Sequence, residues 1–72
     1  MKNIGVVKEY NGFYGNIIDL EGKQYILMDK NIMENNEINK YDTVLFVPEE
    51  YKKNDIARFV KKIEKENIIR TK

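Results

Sequence analysis

The chain contains no cysteine, histidine, serine or tryptophan, and only one proline in 72 residues. Without cysteine, disulfide staples are excluded, although a scaffold this short usually needs some form of reinforcement. Without histidine as well, a zinc site would have to be assembled from carboxylates alone, a donor set zinc seldom accepts; no cofactor is expected. The usual nucleophile–base pairs of covalent catalysis are missing too, since Thr43 and Thr71 are the only residues with an aliphatic hydroxyl. Carboxylates such as Glu9 and Asp19 could do acid–base work only as desolvated partners in a cleft. The sequence therefore points to a binding module, not an enzyme.

Long apolar runs are also missing. The longest apolar stretch, Val44-Leu45-Phe46-Val47, is far short of the roughly 20 residues of a membrane-spanning helix. No apolar segment behind a basic patch marks a secretory leader, and the expected location is cytoplasmic. Thirteen basic residues stand against 12 acidic ones, so net charge supplies no general attraction to polyanions. Nucleic-acid binding would have to rest on a local basic face and on aromatic stacking.

What the chain has is a succession of short apolar bursts about ten residues apart, separated by turn chemistry, as in an all-β barrel or sandwich. Ile4 to Tyr10 reads as a first strand, ending at Asn11-Gly12, a strong turn signal. Tyr14 to Ile18 and Tyr25 to Met28 follow, joined by the glycine-containing loop Asp19 to Lys23, which makes a meander. Asp29 to Lys40 is crowded with asparagine and reads as a loop with at most one helical turn, anchored by Ile32, Met33 and Ile38. Thr43 to Val47 is the fourth strand, stopped by Pro48, which cannot donate to a ladder. Glu49 to Asp55 is then a charged loop, and Ile56 to Ile63 the fifth strand. A helix over 56–69 competes with that last strand, because Ile56, Phe59, Val60 and Ile63 also fall at helical spacing. The domain spans 1–63, and 64–72 is a charged tail.

The order of residues resembles the cold-shock domain. Gly5-Val6-Val7-Lys8-Glu9-Tyr10-Asn11 is similar to that family's G-x-V-K-W-F-N opening, and Gly12-Phe13-Tyr14-Gly15-Asn16-Ile17 to a K-G-F-G-F-I motif shortened by one residue. Tyr25-Ile26-Leu27-Met28-Asp29-Lys30-Asn31-Ile32 resembles V-F-V-H-F-S-A-I. Tyr41-Asp42-Thr43-Val44-Leu45-Phe46 and Asn54-Asp55-Ile56-Ala57-Arg58-Phe59-Val60 resemble the family's G-Q-x-V-x-F and G-P-Q-A-x-N-V strands. The resemblance covers residues 4 to about 62.

This resemblance implies a small five-stranded antiparallel Greek-key barrel of the oligonucleotide-binding (OB) kind. It also implies single-stranded RNA or DNA as partner, held on strands 1 to 3 by aromatic stacking. The residues it nominates are Tyr10, Phe13 and Tyr14 for stacking, Asn16 for a base edge, and Lys8 and Arg58 for phosphates, with Lys52 and Lys53 near the last loop. The departures are specific. Glu9 stands at the family's tryptophan position, and Ile26-Leu27-Met28-Asp29 replaces F-V-H-F. Ile26 and Met28 therefore sit on the expected base-binding face as aliphatics. This raises an alternative reading, a protein-interaction module or small regulator using that face as an apolar patch. Exposed tyrosines flanked by cations would favour nucleic acid; an aliphatic patch ringed by Glu9 and Asp29 would favour a protein. No membrane partner is expected, and the chain reads as a monomer or weak homodimer.

Overall fold

In the computed structural model, which describes residues 2–63, five strands close into a barrel: β1 (Asn3–Tyr10), β2 (Tyr14–Asp19), β3 (Gln24–Met28), β4 (Thr43–Tyr51) and β5 (Asn54–Lys62). The order around the barrel is β1-β2-β3-β5-β4, with β4 returning to pair β1. This is an all-β barrel whose topology is compatible with an OB-fold. The pairing is mixed, not wholly antiparallel as expected, because β3 and β5 run parallel through Ile26 and Ile56. The intervening segment carries a 3-10 turn over Asp29–Asn31 and a parallel bridge from Ile32 to Val60, which lets the chain cross the barrel end.

Alternation along the strands explains the core. Val7, Ile17, Leu27, Val44, Phe46, Ala57 and Val60 are fully buried, with Tyr25 and Ile38 nearly so. Tyr25 points inward beside Leu27, as its alternation with Ile26 predicts. Its ring meets Phe46 at 4.9 Å and 59°, a tilted geometry that aromatic quadrupoles prefer. At the mouth of the β2–β3 turn, Asp19 accepts bonds from the Glu21 and Lys23 amides at 2.9 Å each and from the Asn3 side chain at 3.2 Å. The Lys23 amide is foremost in holding the Asp19 carboxyl below the usual carboxylate range, against an opposing effect of burial.

Two sequence expectations about the last third are corrected. Pro48 does not end β4, which continues to Tyr51. Proline is tolerated there because β1 has already run out: its last pair is Asn3 with Phe46, so past that point only β5 flanks β4. The segment Glu49 to Asp55 is not a loop either. Tyr51 pairs with Asn54 across a two-residue hairpin formed by Lys52 and Lys53. Both lysines have positive φ, 51° and 69°, as a type I′ turn requires.

The helical alternative fails over 56–62, which is strand. Ile63, which follows, is not helical, and residues 64–69 of that alternative, with the charged tail, lie outside the described residues. The residues at helical spacing do not share a face, since Val60 is buried, Phe59 is exposed and Ile56 lines an outer groove; the strand instead carries a bulge. The β4–β5 register shifts between Leu45 and Val47, leaving Phe59 as an extra residue with φ of 53°. Buried Ala57 and Val60 are consequently three apart, not two.

Candidate nucleic-acid interface

An open groove of about 700 Å³ lies on the barrel. Ile26 and Met28 of β3 and Ile56 of β5 contribute apolar side chains to it, and Arg58 and Asn54 come from the same face of β5. Tyr14 from β2 and Tyr51 from β4 stand on the strands that flank the β3–β5 pair. Each side's contributors are two residues apart along the strand: 26 and 28, 49 and 51, 54, 56 and 58. That is the outward set of a pleated sheet. Lys30 and Asn31 enter from the 3-10 turn.

Both tyrosines are open to solvent, Tyr14 at 63% and Tyr51 at 56% exposure. Lys52 lies over the Tyr51 ring at 5.4 Å. Arg58 Nη1 donates to Glu49 Oε1 at 2.7 Å, an exposed ion pair; solvent screening keeps such pairs weak enough to yield to a ligand. The groove thus offers two aromatic faces, two cations with one carboxylate, two amides and an apolar floor.

Four of the eight sequence-nominated residues meet in this groove: Tyr14, Ile26, Met28 and Arg58. The other four do not. A bulge between Val7 and Glu9 breaks the simple alternation of β1. Glu9 is placed opposite Asn16, and Tyr10 opposite Gly15, whose β3 neighbour is the buried Leu27. Tyr10 therefore packs partly buried against the core, and not beside Lys8 on the outer face. Burial, then the Asp29 charge, raises its hydroxyl pKa. Lys8 is exposed away from the groove.

Phe13 is exposed in the β1–β2 turn, where Asn11 Oδ1 accepts the amides of Phe13 and Tyr14 at 2.9 Å each, but it does not line the groove. Asn16 spends its Nδ2 on Gln24 Oε1 at 3.0 Å, and its Oδ1 is buried without a partner. The amide oxygen is therefore not offered to a base.

The groove members that sequence reasoning missed are Tyr51, Asn54, Ile56, Glu49, Lys30 and Asn31. A pairing of Tyr51 with Asn54 across Lys52-Lys53 was the available signal, obscured by the lack of turn-type residues at 52 and 53. Glu9 and Asp29, the carboxylates that would ring a protein-binding patch, do not line the groove; Glu9 faces Lys40 at 3.5 Å instead. Among the described residues there is no cluster of acidic side chains suited to a metal, and no helix is long and apolar enough to cross a membrane. In comparison with known proteins, the sequence matches no family model and no curated protein.

Proposed function

We propose that the chain is a single-stranded nucleic-acid-binding module, with RNA the favoured ligand, of the cold-shock-like kind and without catalytic activity. The carrying observation is the pair of exposed tyrosines, Tyr14 and Tyr51, on strands flanking one groove that also holds Arg58 and Lys30. Unstacked bases lie on the tyrosine faces, which are tolerant of sequence because every base has a π-face. Arg58 exchanges Glu49 for phosphate, with Lys30 as a second phosphate partner. Asn31 and Asn54 supply adaptable hydrogen bonds, and Ile26, Met28 and Ile56 pack beneath the sugars and bases. Binding holds the strand unpaired and makes or breaks no covalent bond.

The test is fluorescence anisotropy with labelled oligo-U and oligo-dT at low and moderate salt, for the parent and for Tyr14→Ala and Tyr51→Ala. Stacking contributes about 1–3 kcal/mol per base, so each substitution should weaken binding about 5- to 150-fold. Two phosphate partners predict a log–log salt slope near −1.4, from about 0.7 per phosphate on a single strand. A parent that ignores both oligonucleotides at low salt sinks the reading, as do tyrosine variants that bind as the parent does.

A further inference from the structure

Phe59 is the least expected residue of the barrel. It is the extra residue of the β5 bulge, sits at φ of 53°, and leaves its ring 61% exposed while Val60 beside it is fully buried. A bulky side chain at positive φ is a backbone outlier that glycine or asparagine would adopt more easily. Core packing does not account for it, because the ring is turned outward.

The surface around that ring is continuous with the groove. Lys30, Asn31 and Arg58 line both the main groove and a smaller cleft of about 140 Å³, where they meet Met33 and Phe59. Met33 and Phe59 in turn line a third cleft of about 320 Å³, which Lys2 and Lys61 edge and Val47 helps to floor. Four cations therefore mark the three clefts. Of all the described residues lining them, the single carboxylate is Glu49, already engaged by Arg58. Arg58 also lies 5.6 Å from the Phe59 ring centroid, joining the groove to the bulge.

We infer that the bound single strand does not end in the groove but continues past Arg58, stacks a further base on Phe59, and leaves between Lys61 and Lys2. This extension rests on the nucleic-acid reading above. An exposed aromatic set between spaced cations fits a chain that alternates flat bases with phosphates. The bulge is what aims the ring: in a regular strand, residue 59 would follow the pleat.

The experiment compares a dT tetramer with a dT dodecamer, a range within the roughly 4–16 nucleotides that OB barrels cover. The variants are Phe59→Gly, which takes the observed φ without strain, and the pair Lys2→Gln/Lys61→Gln, which leaves the bulge untouched. Phe59→Gly should bind the tetramer as the parent does and lose about 5- to 150-fold on the dodecamer. The double lysine variant should flatten the dodecamer salt slope by about 1.4 and leave the tetramer slope alone.

Equal dodecamer affinity in Phe59→Gly, with Tyr14→Ala weakened at both lengths, overturns the extension and leaves the groove reading standing. Equal losses on both lengths also overturn it, since Phe59 would then be acting through the groove or the fold. A parent that binds neither oligonucleotide removes both readings together. Poly-glutamate bound by the parent in place of oligo-dT, and released in Phe59→Gly, would assign the surface to an acidic protein instead.

Discussion

Replacing Gly15 by alanine tests the β1 bulge, the feature that removes Tyr10 from the outer face. A Cβ at position 15 would collide with the Glu9 carbonyl and lie 2.8 Å from the Tyr10 Cα. Both neighbours are backbone, so no rotamer change relieves the overlap. The strand pair must part where Glu9 faces Asn16 and Tyr10 faces Gly15. Two ladder positions at about 1 kcal/mol of net hydrogen bonding each, with about 1.5 kcal/mol for the partly buried Tyr10 ring, give a loss of roughly 3–4 kcal/mol. A 72-residue domain has about 4–11 kcal/mol in total, so most of the stability of a marginal barrel is at stake. At about 4–8 °C per kcal/mol, Tm should fall by about 12–30 °C.

The assay is urea unfolding followed by circular dichroism, where the midpoint should drop with m unchanged. Gly22→Ala is the control: it has open space but φ of 88°, so it should cost only about 1 kcal/mol from the left-handed backbone. A Gly15→Ala loss below 1 kcal/mol, or one equal to that of Gly22→Ala, would refute the steric account of the bulge.

Lys52→Asn with Lys53→Gly should raise Tm by about 4–8 °C, from about 1 kcal/mol of relieved strain at the two positive-φ positions; differential scanning calorimetry checks it, and an unchanged Tm counts against the type I′ assignment. Phe46→Ala removes a fully buried ring and its partner at Tyr25, at a cost of about 3–5 kcal/mol; a cooperative melt within 5 °C of the parent would contradict its place at the centre of the core. Asp19 contributes through a depressed carboxyl pKa. That contribution is present above the unfolded value of about 3.9 and disappears as pH falls through the lower folded value. Below pH 4 the parent's Tm should therefore decline more steeply than that of Asp19→Asn, and parallel curves would contradict the hydrogen-bond account.

The meander was legible because its residues announce themselves. Asn11-Gly12 and Gly22 carry ordinary turn chemistry, and Tyr25 and Leu27 alternate cleanly with Ile26 and Met28. Residues 29–40 were readable in part: Ile38 is buried and Ile32 packs against the core, but Met33, the third expected anchor, is exposed. The misses share a physical cause. Lys52, Lys53 and Phe59 hold positive φ without being glycine or asparagine, so the local sequence gives no sign of the turn or bulge they make. Here closure of the barrel overrides local preference: β4 and β5 are already held by seven residue pairs, including Val47 with Arg58 and Tyr51 with Asn54.

These same irregularities decide which residues form the site. The bulge in β1 turns Tyr10 onto the core and Glu9 outward, stripping the expected face of its first aromatic. The Lys52-Lys53 hairpin extends β4 and β5 past Pro48 and carries Tyr51 and Asn54 to the groove. The inward set that specifies closure, including Val7, Leu27, Phe46 and Val60, is untouched by either change. A core of this kind fixes strand order and register but places little constraint on outward positions, which alternate independently of it. Under the proposed function, the binding wall therefore lies in the β3–β5 groove and not on strands β1–β3, within the same topology. Set strand by strand against the cold-shock pattern, Glu9, Ile26 and Asp29 stand where that pattern has aromatics, while Tyr51 stands in a segment that reads as a charged loop.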